Sequence, residues 1–332
     1  MPRLQLVIAN KNGSSWSMRP WVLLTEAGIP FEEVLVPFGA PDWQARVGSP
    51  SGRVPLLRVR EEGGAGLRIW DSLAIAEFLA EAFPEKQLWP SDPAARAVAR
   101  AASAEMHSGF ADMRRECSMD LVLRRERILS AKAAADVRRV DALLADCRTR
   151  FGGSGDLLFG RFSIADAMFA PVASRARTYG LQLSSISQRY LDALWALPSV
   201  ERWAADARAE VDAGIHDPVS HGALFSRAEA EHFAADWIAR WNKGDLDGLL
   251  ALCAEGVRAR AQSGLAALRA RWSEERATSP AALRLTSCAW DGDVNRLTLC
   301  VTPVDPTQGA PRAEVLSFDD ACRVSALESF GG

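Results

Sequence analysis

Residues 4–28 read LQLVIANKNGSSWSMRPWVLLTEAG. Leu4–Ala9 is a short apolar run that suits a buried strand; it is too short for a signal-peptide core or a membrane span. Ser17–Ala27 carries helical spacing, with Pro20 in its first turn and Gly28 just past its end. A strand followed at once by a helix opens an α/β unit, and the next residues continue it. Phe31–Pro37 reads as a strand, and a weak helix lies near Asp42–Val47. Pro55–Arg60 and Leu67–Trp70 read as a hairpin joined at Gly63-Gly64, and Leu73–Phe83 is a helix ended by Pro84. The order predicts an α/β domain over 1–84 with one antiparallel hairpin.

Beyond it, Pro84–Pro93 reads as a linker. The Ala- and Arg-rich stretch from Ala94 to about Ala209 has no strand alternation and breaks at Gly152-Gly153 and Pro198, which predicts an all-helical domain over 93–210. Val211–Leu224, with Gly214, Pro218 and Gly222, reads as a second linker. A third domain, α+β, is expected over 225–332. Phe233, Trp237, Ile238 and Trp241 share one helical face, and Gly244 and Asp245 break that helix. A helix resumes over Leu246–Cys253, and another covers Ser263–Glu275. Then Leu297, Leu299 and Val301 alternate after a turn at Asp291–Asp293. Glu314–Phe318 and Arg323–Leu327 pair across Asp319-Asp320.

Composition narrows the function. The 332 residues suit two or three domains, and 48% hydrophobic with 24% charged residues is the profile of a folded protein. A net charge of −3 gives no attraction to nucleic acid or an anionic membrane, and no basic cluster is interleaved with aromatics. No stretch approaches about 18 apolar residues, so a cytoplasmic location without membrane contact is expected. Cys117, Cys147, Cys253, Cys288, Cys300 and Cys322 form no C-x-x-C pair and are expected to be reduced. His107, His216, His221 and His232 form no metal-binding pattern, so no metal is expected.

Three short features carry chemistry. Asn12–Trp21 (NGSSWSMRPW) opens the first helix, where free N–H groups and a positive dipole favour an anion. Ser14, Ser15 and Ser17 there are either helix caps or donors to a thiolate, whose pKa such a bond lowers. Val54-Pro55 starts a strand, and such a proline is either an ordinary trans residue or a cis one that exposes backbone groups. Asp71-Ser72 caps the next helix, or holds the ammonium and carboxylate of an amino acid.

In this order and spacing the three features resemble the glutathione transferase family, most closely a bacterial zeta/theta-like branch with SSWS-x-RPW. Ser163-Ile164-Ala165-Asp166 adds a fourth match, a capping box with a structural role. The resemblance covers about residues 4–210. It implies a thioredoxin-like domain, a helical bundle and a homodimer. It implies glutathione as co-substrate, its thiol activated by Ser14 or Ser15. Ser17, Arg53, Val54, Pro55, Asp71, Ser72 and His107 would bind glutathione. Trp16, Met106, Phe110 and Met113 would line the acceptor pocket, with Glu105–Phe110 on the first long helix of the helical domain. Arg19 is a weaker candidate for a glutathione carboxylate. The thiolate would then attack a small electrophile. No cysteine opens the first helix, which argues against thiol-transferase chemistry. Trp16 stands where the zeta pattern has cysteine, so isomerase activity is not implied.

Residues 229–330 resemble the SnoaL-like, ketosteroid-isomerase-like superfamily through Phe233, Trp237-Ile238-Ala239, Trp241-Asn242, Gly244-Asp245-Leu246-Asp247 and Phe318-Asp319. A cone-shaped α+β domain follows from that resemblance. No acid and oxyanion-donor pair is evident in it, and a binding or dimer-forming module is expected over a second enzyme. Trp237, Trp241 and Trp290 are expected in its core. Two other readings stand beside the transferase: a non-catalytic scaffold of the same fold for protein partners, and chemistry located in the C-terminal domain.

Overall fold

The structure, a computed structural model, describes residues 3–60, 66–124, 127–153, 155–215, 225, 227–259, 262–278, 281–291, 295–318 and 323–330. The Gly63-Gly64 turn, most of the second linker, His216, His221, Asp293, Asp319-Asp320 and Cys322 lie outside them. The chain divides into two compact units, one of residues 1–127 and 131–221, the other of 128–130 and 222–332.

The first unit begins with β1 (Arg3–Ile8), α1 (Ser15–Glu26), β2 (Glu32–Leu35), α2 (Trp43–Val47), β3 (Leu56–Arg60), β4 (Leu67–Trp70) and α3 (Ser72–Ala82). The sheet order is β2-β1-β3-β4, with β1 parallel to β2 and antiparallel to β3, and β3 antiparallel to β4. This is the expected α/β layer with one hairpin. Leu6, Val7 and Ile8 are fully buried, as a strand inside a covered sheet requires. Helix α1 starts two residues before its predicted start, so Pro20 sits inside the helix and not in its first turn.

Pro84–Pro93 is no free linker. Pro84–Lys86 makes a 3-10 turn, Leu88 and Trp89 are buried, and the Leu88 carbonyl accepts from Ile164 N–H at 2.9 Å. Then come α4 (Pro93–Ser108), α5 (Ala111–Glu116), α6 (Ala131–Phe151), α7 (Ile164–Tyr179), α8 (Ser185–Trp195) and α9 (Pro198–Asp212). Helix α7 is buried around almost its whole circumference and forms the bundle core. The reading that kept Phe110 on the first long helix is corrected. Helix α4 stops at Ser108, Gly109 is extended and Phe110 is left-handed at φ 59°. A Cβ on Gly109 would lie 2.8 Å from the Glu105 carbonyl oxygen, so glycine permits the break.

The second unit contains α10 (Arg227–Lys243), α11 (Leu246–Ala251), β5 (Cys253–Ala259), β6 (Gln262–Ser263), α12 (Leu265–Thr278), β7 (Leu283–Asp291), β8 (Arg296–Pro303), β9 (Arg312–Phe318) and β10 (Val324–Phe330). Its six strands run β6-β5-β10-β9-β8-β7. The β9–β10 pair is antiparallel as expected. Strand β5 corrects the helix predicted through Cys253: its parallel partner β10 lies some seventy residues on, a pairing local spacing does not reveal. Trp237, Ile238 and Trp241 are buried with Trp272, Leu299 and Leu316, and Trp290 is partly buried against that cluster.

Candidate functional site

Register brings the chemical residues to one end of the first sheet. Val7 of β1 pairs with Leu56 of β3, and Leu56 pairs with Trp70 of β4. The chain leaving β1 toward Ser14-Ser15, the chain entering β3 through Val54-Pro55, and Asp71-Ser72 after β4 therefore meet at the same edge. The sequence features separated by forty and sixty residues become neighbours through strand pairing alone.

At the start of α1, Gly13 and Ser14 N–H groups donate to the Asn10 carbonyl at 3.3 and 2.9 Å, closing a turn. Ser14 is the N-cap, and its hydroxyl donates to the Ser17 hydroxyl at 2.7 Å. Ser17 is fully buried and also accepts from Ala9 N–H at 3.3 Å, which ties α1 to the end of β1. Ser15 is the first helical residue, and among the described residues its hydroxyl has no partner. The preceding loop is clamped by α9. Lys11 N–H donates to Glu210 at 2.8 Å, its ammonium reaches Asp206 at 2.7 Å and Glu33 at 3.0 Å, and Trp203 donates to its carbonyl at 2.9 Å. That ammonium also lies over the Trp21 and Trp203 rings at 5.0 and 5.5 Å. Asn12 accepts from Leu121 N–H at 2.8 Å. The clamps to α9 and Leu121 were not legible in the sequence, because those partners lie over a hundred residues away.

The Val54–Pro55 peptide is cis. Pro55 is buried, whereas Arg53 is exposed, and among the described residues only its backbone N–H is bonded, to Ser51 at 3.4 Å. Asp71 sits at φ 82°, and one carboxylate oxygen accepts from the Leu73 and Ala74 N–H groups at 2.9 and 3.2 Å. The other oxygen lies 3.1 Å from His107 Nε2 on α4. Burial pushes the His107 imidazole below its ordinary value, more than Asp71 holds it up. The imidazole is therefore neutral at neutral pH, and its contact with Asp71 is not an ion pair. The Ser72 hydroxyl is buried at 1% exposure and has no hydrogen-bond partner among the described residues.

Trp16 is half-buried between cations. The Arg19 guanidinium lies 4.2 Å from its ring centre, Arg114 of α5 lies at 5.5 Å, and the His107 ring meets it edge-on at 5.2 Å. A helical side chain leans over the turn before it, so Arg19 reaches back toward the α1 N-terminus. Burial, with Arg175 and Arg114 adding to it, lowers the Arg19 pKa to about 9 against the pull of Asp71. Arg19 remains a cation at neutral pH. Among the described residues its Nε and one terminal nitrogen have no partner. Met106 and Met113 are fully buried and Phe110 is nearly so. Arg114, unremarked in the sequence, donates to the Met106 and His107 carbonyls at 3.1 and 3.3 Å and closes the end of α4. Ser163 and Asp166 sit away from these groups at the start of α7. Asp166 accepts from Ser163 N–H at 2.8 Å, the Ser163 hydroxyl at 3.0 Å and Leu158 N–H at 3.0 Å. Among the described residues no three acidic, histidine or cysteine groups are placed to hold a metal, and no helix is long and apolar enough to cross a membrane.

Residues 13–82 match the glutathione S-transferase N-terminal domain, and residues 126–206 match the C-terminal domain of the same family. Models of both domains of the glutathione S-transferase family thus match this chain, over residues that fall almost wholly within the first unit. Glutathione S-transferase GstB of Escherichia coli (strain K12) is 28% identical over 207 residues, which are 59% of this chain and 96% of that protein. The crystal structure of glutathione transferase Omega 2S from Trametes versicolor shares the fold, with a TM-score of 0.50 at 20% identity over 67% of this chain and all of that one. A glutathione transferase homologue from Burkholderia, solved with bound glutathione, aligns at 25% identity over 62% of this chain and 98% of its own, with a TM-score of 0.47.

Proposed function

We propose that this chain is a glutathione S-transferase of the serine type that conjugates glutathione to a small electrophile, with Ser15 as the hydroxyl that serves the thiol. The observation that carries the reading is the unpartnered Ser15 hydroxyl at the α1 N-terminus, beside a Ser14 hydroxyl already spent on Ser17. A donor hydrogen bond and the positive end of α1 both favour a thiolate over a thiol. The buried, unpartnered Ser72 hydroxyl supports a site for the γ-glutamyl carboxylate at the start of α3. Asp71 is held by two backbone N–H groups and His107, which fixes a carboxylate for the ligand's ammonium.

In this mechanism glutathione gives its S–H proton to solvent as it binds. The Ser15 O–H donates to the resulting sulfur anion. The sulfur lone pair forms a bond to the electrophilic carbon, and the electrons of the breaking bond leave with the displaced group. Trp16 and the α4–α5 break around Phe110 border the space beside the sulfur. The protein supplies thiolate stabilisation and positioning. Calorimetric titration with glutathione, paired with turnover of a chromogenic aryl halide by Ser14→Ala and Ser15→Ala, tests the reading. Turnover lost in Ser15→Ala with glutathione binding retained supports it. Full turnover in both single variants and in the double variant contradicts the serine assignment.

A further inference from the structure

Strand β9 breaks its own pattern. Leu316 and Phe318 face the core of the second unit, and Glu314 falls on the same face, 7% exposed. A carboxylate on a core-facing strand position costs stability unless it is answered. Arg312 answers it, reaching Glu314 Oε1 at 2.9 Å and, through another nitrogen, Glu275 of α12 at 3.1 Å. The Arg312 fork is thereby committed to two acids. Arg271, one helical turn before Glu275, differs: one of its terminal nitrogens is buried and has no acceptor among the described residues.

Arg271, Glu275 and Arg312 border one cleft of about 480 Å³, whose apolar wall is Trp241, Leu283 and Pro303. A narrower recess below it reaches Glu314 and Trp237. That volume is of the size that holds a small organic ligand, typically about 300–1,000 Å³. At the polar end of the cleft, the Arg271 guanidinium has no ion-pair partner among the described residues. Glu274 and Glu275 also line it and would oppose a second negative charge.

We propose that the second unit binds a small organic monocarboxylate, its carboxylate on Arg271 and its apolar body along Trp241. The reading is independent of glutathione chemistry in the first unit. A single free guanidinium matches one carboxylate, and the facing glutamates disfavour a phosphate dianion.

The test uses the full chain with 1-naphthoate and its neutral analogue 1-naphthamide as probes, read by calorimetry. The expected result is saturable naphthoate binding at least tenfold tighter than naphthamide binding. Arg271→Gln should abolish that preference, and Arg271→Lys, which keeps the charge, should retain part of it. Thermal melting of each variant confirms that it folds. No naphthoate binding at millimolar concentration, equal affinity for both probes, or an undiminished preference in Arg271→Gln would each overturn the proposal. The last outcome would place the binding elsewhere on the chain.

Discussion

Ser14 and Ser15 are adjacent and chemically identical, yet the fold gives them different neighbours. The Ser14 hydroxyl is part of the bond that ties α1 to β1, whereas the Ser15 hydroxyl is uncommitted. A hydrogen bond to a charged partner is worth about 1.5–3 kcal/mol, so Ser15→Ala should lower kcat/KM by about 10- to 100-fold. Ser14→Ala should instead lower stability by about 1 kcal/mol and leave most of the turnover in place. Steady-state kinetics and denaturant unfolding on the two variants separate these outcomes. The sequence brought both serines to the right helix end but could not divide them, because the division depends on where the Ser17 side chain turns. Arg19 teaches the same lesson: as a residue type it suggests a solvated cation, and the fold buries it against Trp16 with two nitrogens unpartnered.

At the scale of elements, the start of α7 rests on a buried acid. Burial pushes the Asp166 carboxyl up to about 6, against the hydrogen bonds that hold it down. A carboxyl whose folded pKa is raised contributes stability that is fully present below its unfolded value near 3.8 and declines as pH rises through about 6. The stability advantage of the native protein over Asp166→Ala should therefore shrink between pH 4 and 6 and be flat above it, read from urea unfolding at each pH. Near neutral pH the variant should still lose about 1–3 kcal/mol, because the Ser163 and Leu158 N–H groups lose their acceptor. The S-x-x-D spacing made this box legible without a structure. The clamp between the α1 loop and α9 was not: Lys11, Asp206 and Glu210 are ordinary surface types until the chain folds. Lys11→Met should destabilise the first unit by about 1–3 kcal/mol, since Glu33 and Asp206 lose their shared cation while keeping partial access to water. Thermal melting checks it.

At the scale of the molecule, two compact units carry separate hydrophobic cores. A ligand stabilises only the unit that binds it, by about 2.7 kcal/mol when present at 100 times its Kd. Glutathione should raise the calorimetric transition that Lys11→Met lowers and leave the transition lowered by Trp237→Ala in place. A shift of the second transition alone would move the glutathione site out of the first unit. The α/β and helical layers were legible because their strands and helices are signalled locally by apolar spacing and by Gly and Pro. The second unit was legible in its helices and its last hairpin, and β5 was missed because it is held by a distant parallel partner. Its cleft was not foreseen at all: Arg271, Glu275, Arg312 and Glu314 come from a helix and a strand whose meeting no spacing announces.

The most direct test of the central claim is an ultraviolet absorbance titration of the glutathione thiolate in the complex, comparing the native chain with Ser15→Ala. The account predicts a bound thiol pKa well below that of free glutathione, moving back up in the variant by about one unit or more. Glutathione that binds with an unshifted thiol pKa, or a lowered pKa that Ser15→Ala leaves unchanged, would contradict it.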